Sequence, residues 1–164
     1  MTFQVVQSTI GVDLDNTSTT QLFALGTHVN GNNTSEWVYV QASTSVTCYK
    51  MVGISNAYAM GMASAFDLLS GLQLGVAQTA FAAAAFGWVA IRGNSLGVMV
   101  TGSCTTTAQG IFLASSSMST GMLGQSASGS GTVAGISFVS VNQTATATVQ
   151  GALLSWPRGG APGM

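Results

Sequence analysis

The stretch Leu72–Gly93, LQLGVAQTAFAAAAFGWVAIRG, is the most apolar part of the chain and decides its fold. It contains two strand-like runs, Leu74–Phe81 and Gly87–Arg92, which are joined by a segment of small residues. Leucine and valine alternate with glutamine and glycine at its start, and this is the two-residue period of a β-strand. We therefore predict two paired strands at the centre of a β core.

The joining segment, Ala82–Phe86, lacks polar turn residues and is too apolar for a solvated loop. We expect it to be covered by its own fold or by another subunit. A helix over residues 80–86 is one alternative, although seven residues make a marginal helix without strong tertiary support. A membrane span is another, but glutamines, a threonine and glycines interrupt the apolar run, so we predict no membrane insertion.

The sequence before this stretch carries further strand signals. Residues 22–29 lead into the turn cluster NGNNTS, and residues 36–42 then alternate with a period of two, with their two aromatic residues on one face. Asn30-Gly31 inside the turn predicts a β-hairpin. Residues 45–54 predict another strand, whereas residues 56–71 predict a loop with at most one helical turn.

The C-terminal half alternates strand-like runs with Gly/Ser-rich linkers. The predicted strands after Gly93–Gly97 cover residues 96–104, 110–115, 132–141 and 144–156. Pro157 is expected to end the last of them, since proline cannot donate a hydrogen bond to a strand ladder.

These signals predict an all-β chain with a single compact antiparallel barrel or sandwich domain. The predicted domain covers residues 21–157, and residues 1–20 form an extended N-terminal arm that reaches a neighbouring subunit. Residues 158–164 form a flexible C-terminal tail. The N-terminus has no basic segment followed by an apolar run, so we expect no signal peptide.

Charge is unusually scarce, because 4% of the residues are Asp, Glu, Lys or Arg against about 25% in ordinary soluble domains. A nearly uncharged surface repels other copies weakly, which favours burial of that surface in an assembly. Three cationic side chains cannot neutralise a phosphate backbone, so nucleic acid is excluded as a partner. The charged residues are Asp13, Asp15, Glu36, Lys50, Asp67, Arg92 and Arg158.

One motif suggests a hydrolase, but its context argues against that reading. Gly93–Gly97, GNSLG, matches the G-x-S-x-G pattern of a nucleophile elbow. Such a serine needs an acid and a histidine later in the chain, and neither follows Ser95. The only histidine, His28, is expected at a strand edge and not as a ligand or base. We interpret GNSLG as a strand-connecting turn and predict no catalytic residue and no enzyme activity.

No metal or cofactor site is predicted either. Asp13-x-Asp15-Asn16 has the spacing of a calcium loop, but the sixth position is Ser18 where glycine is required, and the twelfth is Ala24 where glutamate is required. Cys48 and Cys104 could form one disulfide, yet without a secretory signal we favour free, buried thiols.

Three pieces of sequence, in this order and spacing, resemble the head decoration or cement proteins of tailed bacteriophages. They are FALGTHV (23–29) with WVYVQA (37–42), GVAQTAF (75–81) with GWVAIRG (87–93), and LLSWPR (153–158). The resemblance covers about residues 22–158. It departs at Ala82–Ala85, where a loop of this kind usually carries polar turn residues.

The resemblance implies a non-enzymatic, all-β and commonly trimeric protein, made in the host cytoplasm and bound to the capsid exterior of the virion. Its expected partners are the major capsid protein, whose neighbouring subunits it clamps, and further copies of itself. The alternative function is a host-surface or glycan-binding module on a virion fibre or adhesin. No catalytic, cofactor or metal residue follows from the resemblance.

Aromatic and arginine side chains commonly anchor protein interfaces. Core packing is the competing interpretation for each tryptophan, and each arginine is expected to have a specific partner, such as Glu36, Asp67 or a carboxylate on a neighbour. The interface candidates are Trp37, Tyr39, Phe81, Phe86, Trp88, Arg92, Trp156 and Arg158.

Overall fold

A computed structural model describes residues 12–64, 70–100, 121–123, 132–138 and 148–160 of the chain. Every regular element in these residues is a β-strand, which confirms the predicted all-β class. The strands are β1 (His28–Asn30), β2 (Glu36–Ala42), β3 (Met51–Ile54), β4 (Ala59–Met62), β5 (Gln73–Val76), β6 (Phe86–Val100), β7 (Thr132–Phe138) and β8 (Thr148–Gly160). They form one sheet in the order β1-β2-β4-β3-β5-β6-β8-β7.

An additional pairing between β2 and β6 closes part of this sheet on itself. Strands β2, β4, β3, β5 and β6 therefore form a closed ring, in which β5 meets β6 where Val76 lies opposite Ala90. β8 and β7 continue the sheet outward from β6. The ring corresponds to the barrel alternative, except that β2 and β4 are parallel where an antiparallel pair was expected.

Strands β2 and β3 of the ring bury both faces, and the two faces belong to separate apolar clusters. In β2, Val38 and Val40 belong to one cluster, and Trp37 and Tyr39 belong to the other. The cluster with Trp37 and Tyr39 also contains apolar residues of β7 and β8, which lie outside the ring. Successive side chains of a strand point to opposite faces, so the cluster with Val38 and Val40 lies on the other face of the ring strands. This cluster fills the inside of the ring.

The stretch Leu72–Gly93 occupies the middle of the sheet, as predicted, with β5 and β6 antiparallel to each other. β5 is shorter than the run Leu74–Phe81, and residues 77–85 form no helix. The fold buries Phe81 and Ala85 but leaves residues 82–84 exposed. Complete coverage of the joining segment by its own fold is therefore wrong, and coverage by another subunit stays a prediction.

Two predicted boundaries differ because strands continue where loops were expected. Part of the predicted loop at residues 56–71 is β4, which pairs with β3 through Ala-Met-Gly-Met, a sequence with no β-branched residue to signal a strand. Gly93–Gly97 is not a turn between strands, because β6 runs through it. Gly93 lies opposite Leu154 and Leu96 opposite Ala152, so the extra residue at this point forms a bulge.

β8 also continues through Pro157 to Gly160, so the proline does not end the strand and residues 158–160 do not belong to a tail. Ser155 lies opposite Arg92 of β6, whereas Arg158 lies opposite Gln73 of β5. Pro157 thus stands where β8 passes from one neighbouring strand to another. Its missing N–H removes no ladder hydrogen bond at that point.

The C-terminal part of the predicted arm packs on the domain. Leu14 is buried, and the Ser18 N–H donates to the Phe86 oxygen over 2.9 Å, while the Phe86 N–H donates to the Ser18 oxygen over 2.8 Å. Several predicted features lie outside the described residues. They are residues 1–11 of the arm, Asp67, Cys104, the strand at 110–115, residues 139–147 and the last four residues of the tail.

The side-chain amide of Gln78 bonds to the backbone of β6 as a neighbouring strand would. Its Nε2 donates to the Gly97 oxygen over 2.9 Å, and its Oε1 accepts from the Gly97 N–H over 3.0 Å. Gln78 is buried, so these bonds are shielded from water. The amide therefore satisfies two backbone groups next to the bulge of β6.

We expect Gln78→Met to lower the free energy of unfolding by about 1–3 kcal/mol, because it leaves both Gly97 groups unpaired at nearly unchanged side-chain volume. Urea denaturation measures this loss, and faster amide exchange at Gly97 should accompany it. Gln150→Met, at a partly buried position of β8, is the matched control and should have a smaller effect. Equal losses in the two variants would contradict this role of Gln78.

Candidate interaction surface

The outward face of β8 exposes large apolar side chains. Ala152 and Leu154 point into the core, whereas Val149 is 44% exposed and Leu153 is 43% exposed. Val149 lies opposite the partly buried Met99 of β6. We call Met99, Val149 and Leu153 the outer strip. Their alternation with buried residues is that of a strand with one face on the core and the other face uncovered.

A bulge interrupts this alternation at Trp156. Continuing the inward positions Ala152 and Leu154 would place Trp156 in the core, yet it is 45% exposed and Pro157 is buried in its place. Trp156 has a φ of 46°, and the facing residue of β7, Gly135, has a φ of 81°. A left-handed backbone at a bulky residue costs about 1–3 kcal/mol and is most common at functional sites.

Arg92 contacts the exposed ring of Trp156, and Arg158 follows the ring two residues later on β8. The Arg92 Cζ lies 4.7 Å from the centroid of the Trp156 ring, which is a cation–π contact worth about 0.5–1 kcal/mol at an exposed site. Arg158 is exposed two residues beyond Trp156. We call Arg92, Trp156 and Arg158 the tryptophan knob. It combines a large apolar ring with two positively charged side chains.

The carboxylate partner expected for Arg92 is not Glu36. Although Glu36 lies opposite Arg92 on β2, its Oε1 contacts His28 Nδ1 at 3.1 Å. His28 stands on β1, at the edge of the described sheet, as the sequence predicts.

A groove on a second surface has an aromatic floor. The Tyr39 ring packs against Phe23, Phe86 and Trp88, with centroids 5.3, 6.4 and 5.0 Å away. Leu22, which is 66% exposed, lines the groove and donates its N–H to Tyr39 Oη over 3.1 Å. The groove opens to solvent.

The rim of this groove carries a negative charge. Asp13 lines it together with Asn16 and the start of β6. Asp13 Oδ1 accepts from the Asp15 N–H over 3.0 Å, and Oδ2 accepts from Asn16 Nδ2. These bonds orient the carboxylate while it remains exposed. We call Asp13, Leu22, Phe23 and Phe86 the aromatic groove.

The structure divides the eight interface candidates into two groups. Trp37, Tyr39, Phe81 and Trp88 are buried in the core, although Tyr39 and Trp88 also line the floor of the groove. Arg92, Trp156 and Arg158 are exposed, with Arg92 in contact with the Trp156 ring, and Phe86 is partly buried at the groove. Sequence reasoning missed Leu22, Val149 and Leu153; for the last two, the alternation in TATATVQGALL was the available signal.

Among the described residues, the side chains that could act as nucleophiles or metal ligands do not form one site. Ser95 is exposed on the bulge of β6, and Cys48 is a half-buried free thiol. Burial lowers the pKa of the Lys50 amine. Within the described ranges, no group of three or more His, Cys, Asp or Glu side chains is placed to hold a metal ion.

No protein-family model, curated protein or solved structure matches this chain. A search of the described residues also finds no helix with the length and apolar character needed to cross a membrane.

Proposed function

We propose that this chain is a virion structural protein that binds the outer surface of a phage capsid and stabilises it by bridging major capsid subunits. The resemblance of its three sequence pieces to head decoration proteins motivates the proposal. The observation that carries it is the outer strip, which exposes Val149 and Leu153 on a strand whose other face is in the core.

A capsid contact through the outer strip would be mainly apolar. Burial of apolar surface contributes about 25 cal/mol per Å², so a few exposed side chains give only modest affinity per copy. A shell offers many copies of its subunits, and simultaneous engagement multiplies weak contacts through effective concentration. Since the outer strip itself carries no charge, we expect binding to depend little on salt.

Leu153→Asp should weaken head binding at least about 10-fold, because it places a charge in the proposed apolar contact. The measurement uses heads made from a phage genome that lacks this coding sequence, with added protein quantified by co-sedimentation and heads tested for heat resistance. Thr44→Asp, in an exposed loop, adds the same charge elsewhere and should bind normally. The proposal is contradicted if wild-type protein neither binds these heads nor raises their heat resistance.

The exposed ring of Trp156 favours a second candidate, a glycan-binding module. Aromatic rings and neighbouring hydroxyl groups such as that of Ser155, which is exposed, are suited to sugar contacts. A glycan array in which wild-type protein binds and Trp156→Ala does not, together with failure to bind heads, would favour this function.

A further inference from the structure

We propose that the tryptophan knob of one copy inserts into the aromatic groove of a second copy of this chain. Trp156 would lie on the apolar floor beside Leu22 and Phe23, and an arginine of the knob would bind the Asp13 carboxylate. This contact goes beyond the capsid-binding function and does not depend on it. It makes the chain its own partner through two surfaces that differ in shape and charge.

The knob has the properties of an interface anchor. Trp and Arg are the side chains most enriched among residues that dominate binding energy. The bulge at Trp156 turns its ring out of the core at a cost in backbone strain, although the alternation of β8 would otherwise bury it. A partner that covers the ring would compensate for both the strain and the exposed apolar surface.

The groove complements the knob in apolarity and charge. Its floor is aromatic, and aromatic rings pack favourably against an inserted indole at centroid separations of about 4.5–7 Å. Asp13 uses two of its acceptor positions within its own segment, and a carboxylate has about four. The remaining positions face solvent, where a guanidinium can bind them.

Charge scarcity makes this match specific. The acids in the described residues are Asp13, Asp15 and Glu36. Glu36 contacts His28, whereas Asp13 lines the groove and Asp15 belongs to the same short segment. Arg92 contacts the Trp156 ring at the knob. The outer strip and the alanines at residues 82–84 offer no carboxylate to an arginine. The groove is therefore the surface of this chain that combines an aromatic floor with a described carboxylate.

The contact is heterologous, because knob and groove are different surfaces. Each copy keeps one unoccupied knob and one unoccupied groove until a ring of copies closes or the two contacts become reciprocal. A variant that lacks only the knob can still accept a knob, and a variant that lacks only the groove can still donate one. Nonspecific apolar association would not show this difference between the two variants, so the variants test the specific contact.

Sedimentation equilibrium of the full chain without capsids tests the proposal. We expect wild-type protein to form a closed oligomer, and we expect Trp156→Ala and Leu22→Arg each to sediment as monomers, with association at least about 30-fold weaker. An equimolar mixture of these two variants should form one-to-one dimers. Thr44→Ala, at an exposed position outside the knob, the groove and the outer strip, should leave the wild-type mass unchanged.

A charge exchange gives a second, independent readout. Asp13→Arg should weaken association through repulsion of the knob, and combining it with Arg92→Asp and Arg158→Asp should restore at least part of it. Urea denaturation of each variant identifies any that fail to fold, and the remaining pair then decides the result. A monomeric wild type at 100 μM, roughly the range of weak specific complexes, would overturn the proposal, as would variants that keep the wild-type mass or a mixture that forms no dimer.

Discussion

Trp88→Ala is expected to lower the free energy of unfolding by about 3–5 kcal/mol, because it removes a large side chain from a packed interior and leaves a cavity. Trp88 is 2% exposed and belongs to the apolar cluster that also contains residues of β7 and β8. Its ring packs 5.0 Å from Tyr39 and 5.3 Å from Phe23, so the change also removes two aromatic contacts. Urea denaturation at a fixed temperature measures the loss.

Trp156→Ala is the matched control, since it deletes the same side chain from the surface. Its loss should stay below about 1 kcal/mol at concentrations where both variants are monomeric, because the cation–π contact with Arg92 is solvent-exposed. Similar losses in the two variants would contradict the division of the aromatic residues between core and surface.

Gly75→Ala should destabilise the chain by about 1–3 kcal/mol through overpacking inside the ring. A Cβ at Gly75 would lie 2.4 Å from Val89 Cγ1 and 3.1 Å from the Ala90 oxygen. Both neighbours belong to β6, whose position is fixed by its pairing with β2, β5 and β8. The backbone therefore has little room to shift, and thermal unfolding should detect the strain as a lower midpoint.

Gly151→Ala provides the control, because a Cβ there meets no atom within 4 Å. It should be neutral or slightly stabilising, since alanine restricts the unfolded chain more than glycine does. Val89→Ala removes the nearest clashing atom, so the double variant with Gly75→Ala should lose less than the sum of the two single changes. Additive losses would place the strain elsewhere.

Much of the fold could be predicted from sequence, because alternation and turn residues report local structure. The hairpin before residue 42 and the central position of Leu72–Gly93 were both predicted in this way. Closure of the ring could not be predicted, since it depends on β2 pairing with strands far apart in sequence. Because β2 is buried on both faces, the alternation over residues 36–42 did not indicate which face lies inside the ring.

The candidate surface was harder to predict for a related reason. An aromatic residue looks the same in sequence whether its strand faces the core or solvent, so Trp88 and Trp156 both became interface candidates. A bulge in β8 exposes Trp156, whereas Trp88 stays in the core, and Pro157 is the sequence signal of that bulge. That proline was interpreted as a strand end because the passage of β8 between two neighbours is a tertiary feature.

The closed ring also has a consequence for how the chain folds. Pairing of β2 with β6 joins segments about 50 residues apart, and such contacts are made late because long loops must first be closed. The first half of β6 pairs within the ring, and its second half pairs with β8. Opening of the outer sheet can therefore leave the ring intact, so amide hydrogens near Val89 should exchange more slowly than those near Val98.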